Sequence, residues 1–218
     1  MEQQLLVACQ EGNIEKVKNL LQDLQINPNC RDDDNITPLG RSCRLGHVDI
    51  VQLLLSDQRV DVNQANKGGS TAFSIACVYG QVDIVKLFLN DERVDINRST
   101  TVDATPFWIA CKKGHIDIVK LLLNNERVDL NKGNKYEISP FYIACYEGHI
   151  DLVKLLLNDE RIDINKVDHN EETPFFNACW KGRVEIMKLL LNDERVDVNH
   201  LNKDDQTLLL VKKDILKL

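Results

Sequence analysis

The sequence predicts an all-α solenoid of stacked helix–turn–helix units joined by hairpin loops, with a period of 34 residues. The prediction depends on several residue types that recur at this one spacing, and on units that each contain two short amphipathic helices. Asparagine recurs from Asn29 to Asn199, and a threonine or serine recurs from Thr37 to Thr207. Cysteine and glycine keep the same spacing at Cys9, Cys43, Cys77, Cys111, Cys145 and Cys179, and at Gly12, Gly46, Gly80, Gly114, Gly148 and Gly182.

The unit formed by residues 100–133 shows how each element is predicted. Thr105-Pro106 indicates the start of a first helix, because proline is tolerated in the first turn. Gly114 indicates its end, since a residue without a Cβ adopts the left-handed conformation at least cost. An apolar second helix follows over 115–123, and the polar stretch after it leads into a short extended segment at 128–131. Helices this short are marginal alone in water, so they must stack to bury their apolar faces.

The period divides the whole chain, 1–218, into a single array. We expect an N-terminal cap repeat at 1–31 and a C-terminal half-repeat at 202–218. The half-repeat is either a one-helix cap or the trace of a longer array. Five full repeats lie between them, at 32–65, 66–99, 100–133, 134–167 and 168–201.

Composition excludes several classes of protein. The chain has 218 residues, of which 43% are hydrophobic and 28% charged, as in ordinary folded proteins. Its net charge of −7 disfavours nucleic-acid binding, which requires an excess of lysine and arginine. No apolar run approaches the about 20 residues that span a bilayer. We therefore expect a monomer in the cytoplasm or nucleus, with reduced thiols, no membrane insertion and no nucleic-acid partner.

The repeated pattern resembles that of the ankyrin-repeat family over nearly the whole chain. Its clearest copy is Thr105-Pro106-Phe107, Ala110-Cys111, the segment Gly114–Leu123, and Val128-Asp129-Leu130-Asn131. The family unit is usually about 33 residues, so the segment before Val128 carries one extra residue. The histidine that follows the family's Thr-Pro-Leu is also missing. Its position holds Gly40, Ser74, Trp108, Tyr142 and Phe176, so the hydrogen bonds of that histidine must be absent or replaced.

The cysteines could suggest a metal site or disulfides, but small apolar side chains packed between helices are the simpler interpretation. Equivalent cysteines of neighbouring repeats should lie about 10 Å apart, beyond the reach of a disulfide. Cys30 stands outside the series in a loop, where we expect greater exposure and leave a reactive role open.

Three other patterns are better explained by structural roles than by metal binding, phosphate binding or catalysis. His47, His115 and His149 occupy one position in different repeats, too far apart to share a zinc ion. The segment 67–71 lacks the order of a phosphate-binding loop, and 32–35 lacks the spaced ligands of a calcium loop. We therefore expect no catalytic residues, no metal and no cofactor, and the chain is predicted not to be an enzyme.

Charged residues also recur in every repeat. Arginines follow the second helix, with an aspartate two residues later, and stacking should align them as ladders of weak surface pairs. The pattern comprises Arg59, Arg93, Arg127, Arg161 and Arg195, with Asp61, Asp95, Asp129, Asp163 and Asp197.

Positions that vary between repeats are free to carry function. The resemblance implies a concave surface, made of first helices and hairpin tips, that binds protein partners. Tyrosine and tryptophan are enriched at interface hot spots, and several fall at variable positions in 134–201, where we expect a binding patch. Single exposed aromatics covered by their neighbours are the alternative. The candidate protein-binding residues are Arg44, Leu45, Tyr79, Lys112, Lys113, Tyr136, Tyr146, Glu147, Trp180 and Lys181.

The sequence thus predicts a non-enzymatic scaffold or adaptor that binds a protein partner through a rigid concave face. The alternative is a target-recognition arm of a larger enzyme or ubiquitin-ligase-type assembly. The length of the encoded chain beyond Leu218 distinguishes the two. A purely structural role has no support beyond the array itself.

Overall fold

The computed structural model describes residues 2–204, so the predicted half-repeat lies almost entirely outside the described residues. Those residues form twelve α-helices and no strand, as an all-α repeat fold requires. None of these helices is long and apolar enough to cross a membrane. The helices are α1 (Glu2–Glu11), α2 (Ile14–Leu21), α3 (Pro38–Leu45), α4 (Val48–Ser56), α5 (Ala72–Val78), α6 (Val82–Leu89), α7 (Pro106–Lys113), α8 (Ile116–Leu123), α9 (Pro140–Glu147), α10 (Ile150–Leu157), α11 (Pro174–Trp180) and α12 (Val184–Leu191).

The described residues form two compact units. The first comprises 2–106 and 120–128, and the second comprises 107–119 and 129–204. In the first unit the first helices α1, α3 and α5 pack in a row, and the second helices α2, α4 and α6 form a parallel row. In the second unit α9 packs on α11 and α10 packs on α12. In the first unit each helix pair from α1–α2 to α5–α6 therefore stacks on the next in chain order, and in the second unit the α9–α10 pair stacks on the α11–α12 pair.

Each helix pair begins and ends as the sequence predicts. The hydroxyl oxygens of Thr37, Thr71, Ser139 and Thr173 accept a hydrogen bond from the backbone N–H three residues later, which caps the first helix. The glycine series has positive φ at every member. At Gly114, with φ of +70°, a Cβ would also lie 2.7 Å from the His149 ring, so glycine is required there.

Aromatic and cysteine side chains fill the space between the helices. Phe73 meets Phe88 edge-on, with ring centroids 5.6 Å apart. All seven cysteines are free and buried. The expected exposure of Cys30 is wrong: its side chain is 6% exposed and its thiol donates to the Glu2 carbonyl at 3.6 Å. Burial raises the pKa of this thiol to about 11, which makes it a poor nucleophile.

The recurring asparagine joins each repeat to the next. In the first unit, Asn63 Nδ2 donates to the Arg93 carbonyl at 2.7 Å, and its Oδ1 accepts from the Asp95 amide at 2.8 Å. Asn29 makes the same pair of bonds to Arg59 and Asp61. In the second unit Asn131 and Asn165 repeat the arrangement. One side-chain amide thus satisfies a donor and an acceptor of the neighbouring loop.

The recurring arginine forms a second link between repeats. Arg93 Nη2 donates to the Leu55 carbonyl at 2.6 Å, at the end of the preceding second helix. A cation there also offsets the helix dipole. The expected pairing with the aspartate two residues later is wrong, because Arg93 pairs instead with Asp91, two residues before it, at 2.6 Å. The same pairing occurs at Arg59–Asp57, Arg161–Asp159 and Arg195–Asp193.

The hairpin tips depend on the side chain of their first residue. Asn66 Oδ1 accepts from the amides of Gly68 and Ser70, each at 2.9 Å, and so holds the turn. Asp32, Asn134 and Asp168 hold their tips in the same way. At the equivalent position of the third full repeat, the hydroxyl of Thr100 is buried and has no hydrogen-bond partner within residues 2–204.

The ion pairs predict a loss of stability in acid. Hydrogen bonds from Arg93 hold the pKa of the Asp91 carboxyl below its ordinary value. Such a group contributes stability above its unfolded pKa of about 3.9, and loses it as pH falls through the lower folded pKa. We expect Asp91→Asn to lower the free energy of unfolding at pH 7 by about 0.5–1 kcal/mol. The difference from wild type should disappear near pH 2, as measured by urea denaturation.

Asparagine is a conservative test of this pair because the third full repeat already carries Asn125 at the equivalent position. There the Arg127 amide still donates to Asn125 Oδ1 at 3.0 Å, so the substitution removes charge but keeps the loop. Asp95→Asn is the control, since this exposed carboxylate accepts from a backbone amide rather than from an arginine. A pH-independent loss at Asp91 would contradict the assignment.

A second prediction concerns the unpartnered hydroxyl at the third tip. Thr100→Asn supplies the acceptor that the other tips use, and we expect it to raise the free energy of unfolding by about 1 kcal/mol. The reciprocal Asn66→Thr should lower it by a similar amount, because two amides lose their acceptor. Thermal melting of both variants beside wild type tests the pair. Equal melting temperatures would show that the side-chain acceptor does not hold the tips.

Candidate protein-binding surface

In the first unit, three of the predicted binding residues lie where first helices end. Arg44 and Leu45 close α3, and Tyr79 follows α5 directly. Leu45 is 46% exposed and Tyr79 is 47% exposed, while the Arg44 guanidinium lies 5.6 Å from the centre of the Tyr79 ring. Since α3 packs on α5, these ends form one continuous patch.

A cavity of about 300 Å³ lies beside this patch. Arg41 crosses it and donates to Gln10 Oε1 and to Asp32 Oδ2, so a charge pair closes part of its wall. The Nε of Arg41 is buried and has no hydrogen-bond partner in the part of the chain that the structure describes. Residues lining the cavity are Gln10, Asp32, Asp34, Ile36, Arg41, Arg44 and Leu45.

The second unit contains the remaining predicted residues. Lys112 and Lys113 end α7, Tyr146 and Glu147 end α9, and Trp180 ends α11 with Lys181 directly after it. Trp180 is the most exposed aromatic among the described residues, at 68%. Lys181 Nζ lies 4.5 Å from the centre of the Tyr146 ring, a cation–π distance that joins the ends of α9 and α11.

Tyr136 lies apart from these helix ends, on a hairpin tip. Its ring is 46% exposed, with Lys135 Nζ at 4.9 Å on one side and the His169 ring at 5.7 Å. His169 Nδ1 lies 3.2 Å from the Tyr136 carbonyl oxygen, so adjacent tips are in contact. The predicted residues of the second unit therefore occupy both helix ends and tips.

Large side chains replace the missing histidine in the second unit. Trp108 Nε1 donates to the Ile138 carbonyl of the next tip at 2.8 Å. Tyr142 takes the same position one repeat later, and its hydroxyl lies 3.3 Å from Asp168 Oδ2 and 3.5 Å from Glu172 Oε2. The sequence left open whether the histidine's hydrogen bonds are absent or replaced; at these two positions another side chain makes a hydrogen bond to the next tip.

Tyr142 is part of a polar cluster that sequence reasoning missed. Tyr142, Asp168 and Asn177 are buried, and Glu172 is partly exposed. Burial and the neighbouring Asp168 charge raise the pKa of the Glu172 carboxyl, while burial and both carboxylates raise the pKa of the Tyr142 hydroxyl. A comparison of equivalent positions shows that Glu172 and Asn177 stand where the preceding repeat has Ile138 and Ile143, but it does not show that the two side chains lie together with Tyr142.

The recurring histidines have a structural role. His149 Nε2 lies 2.9 Å from the Lys112 carbonyl oxygen, and His47 Nε2 lies 3.4 Å from that of Gln10. In the fifth full repeat Arg183 replaces the histidine and donates to the Tyr146 carbonyl at 3.1 Å. Each side chain thus covers the end of the preceding first helix. Residues 2–204 contain no group of three His, Cys, Asp or Glu side chains that could hold a metal ion.

Comparison with known proteins identifies the family. A family model described as ankyrin repeats in three copies matches residues 5–100 and 92–168. A model of the ankyrin repeat matches residues 170–203. No curated protein matches the chain. Because the two family models together match most of the sequence and the helix pairs stack as that repeat requires, the chain belongs to the ankyrin-repeat family.

Proposed function

We propose that this chain is a non-enzymatic scaffold or adaptor, which binds a protein partner through the ends of its first helices and its hairpin tips. Ankyrin repeats are in general protein–protein interaction modules. The observation that carries the proposal is Trp180, a large amphipathic side chain that is two-thirds exposed at the end of a helix whose remaining residues are buried. Tryptophan at such a place is typical of a binding hot spot.

The surroundings of Trp180 support this assignment. The adjacent Lys181–Tyr146 contact places a cation beside an aromatic ring at the helix ends, and contacts made before binding lower the cost of ordering side chains when a partner binds. The backbone beneath is fixed by the α9–α11 contact and by the cap at Thr173. A rigid surface with mixed aromatic and cationic side chains favours a folded protein or a peptide over a small molecule.

We place the protein in the cytoplasm or nucleus, as a monomer. Seven free and buried cysteines support a reducing compartment, since buried thiols that pack as small apolar groups need no oxidising environment.

The proposal predicts that Trp180→Ala combined with Tyr146→Ala weakens partner binding at least about tenfold, because hot-spot aromatics dominate interface energetics. The partner is first captured with the full chain by affinity purification and crosslinking. Its dissociation constant for wild type and variant is then measured by calorimetry. The melting temperature should change little, because Trp180 is 68% exposed and Tyr146 is partly exposed.

Leu191→Ala is the matched control, since Leu191 is 53% exposed in the same repeat but lies on the second helix. It should leave the affinity unchanged. Unchanged affinity in the double variant would contradict the proposed surface. Loss of folding in the double variant, with Trp180→Ala alone binding normally, would assign these aromatics a structural role.

A further inference from the structure

The hairpin tip of the first full repeat shows how this chain neutralises the charge of a buried aspartate. In the first full repeat, Asp32 holds the tip with Oδ1, and its Oδ2 accepts a hydrogen bond from Arg41, nine residues later. The pair buries most of both side chains, with Asp32 at 16% and Arg41 at 24% exposure. A guanidinium supplied by the same repeat therefore neutralises the charge.

The fifth full repeat has the aspartate but not the arginine. Asp168 is 4% exposed and its Oδ1 accepts from the amides of Asn170 and Glu172, as in the other tips. The position nine residues later is Asn177. A second carboxylate, Glu172, has been added at the position that Ile36 occupies in the first full repeat. The charge to be neutralised is thus larger, and no arginine within residues 2–204 takes the place of Arg41.

Hydrogen-bond acceptors exceed donors in this cluster. Tyr142 has a single O–H, which both carboxylates share, and the Asn177 side chain contacts Glu172. The residue Asn177 is only 6% exposed, and its Oδ1 atom is buried without a hydrogen-bond partner among the described residues. A buried acceptor without a donor costs about 1–3 kcal/mol.

Basic groups of the chain supply little compensation. Within residues 2–204, the basic side chain found within 4.0 Å of these carboxylates is His169, whose Nδ1 lies 3.9 Å from Asp168 Oδ2. That nitrogen also lies 3.2 Å from the Tyr136 carbonyl oxygen, and the ring is half exposed. Lys203 Nζ donates to the His169 carbonyl rather than to either carboxylate.

We infer that Asp168, Glu172 and Asn177 form a receptor for an arginine side chain of the protein partner, which supplies the guanidinium that Arg41 provides at the equivalent tip. A guanidinium has five N–H donors in one plane and suits an arrangement of two carboxylates and an amide oxygen. The partly exposed Glu172 side chain is the point of entry. The inference rests on the proposed protein-binding function and specifies the chemistry of one anchor residue.

The test uses the full chain labelled with ¹⁵N and N-acetyl-arginine methylamide as the probe, at constant ionic strength. We expect saturable shifts of the backbone amide signals of residues 170 and 172, whose N–H groups donate to Asp168 and are present in every variant, with a dissociation constant in the millimolar range. The citrulline analogue, which has the same shape without the charge, should bind at least about tenfold more weakly, as expected for a lost charge-assisted pair. Calcium chloride and magnesium chloride are titrated separately.

Three variants separate recognition from structure. Asn177→Arg provides an internal guanidinium, as at Arg41, and should abolish probe binding. Glu172→Gln is nearly isosteric and should weaken binding at least about tenfold while the fold is kept. The double variant Glu172→Ile with Asn177→Ile restores the apolar pair of the preceding repeat, and should lose binding but melt at a higher temperature than wild type.

Saturable binding that is lost in Glu172→Gln and in the double isoleucine variant would support the receptor. The inference is overturned if wild type gives no saturable shift, if citrulline binds equally well, or if only the metal ions bind. The proposed function fails separately, through unchanged partner affinity in the Trp180 and Tyr146 variants. If the chain binds its partner but the arginine probe causes no shift, the proposed function is retained and only the arginine receptor is rejected.

Discussion

Helices of seven to ten residues determine everything else in this protein, because they are too short to be stable alone. Each must bury its apolar face against a neighbour. Stacking alone leaves the loops between helices with unpaired backbone groups, and a side-chain amide in each loop resolves this. Asn63, for example, pairs with one carbonyl and one amide of the following repeat. The recurring asparagine is therefore a link between repeats, and its regular spacing reflects a backbone requirement.

The arginine that follows each second helix adds an electrostatic link of the same kind. Arg93 binds the terminal carbonyl of the preceding helix and is oriented by Asp91. Arg127 also donates to the preceding Leu89 carbonyl, with Asn125 in place of the aspartate. The arginine can therefore bind the end of the preceding helix without an ion pair to the residue two positions before it. The geometry of the loop, with its extra residue, brings the guanidinium over the end of the neighbouring helix.

Most of the fold was predictable from the sequence, because helix starts, glycine turns and stacking contacts each require one residue type at a fixed position. Thr37, for example, caps the helix that its Thr-Pro pair predicts. Predictions failed where an outcome depends on packing between distant segments. Cys30 looks like a loop cysteine in the sequence, yet it is buried beneath the backbone of Glu2. The arginine pairing was also missed, since an aspartate stands two residues before and another two residues after each of Arg59, Arg93, Arg161 and Arg195, and only the turn selects between them.

The binding surface was predictable in outline, from positions that vary between repeats, but its polar cluster was not. When equivalent positions of the repeats are compared within one sequence, an exposed position that varies cannot be distinguished from a buried position that varies. Glu172 and Asn177 replace residues that are apolar one repeat earlier, and only the structure shows that the replacements lie together under Tyr142. An apolar pair would remove both the orphan acceptor and the carboxylate repulsion. The chain shows that its repeat accepts such a pair, at Ile138 and Ile143, so stacking does not require these polar groups.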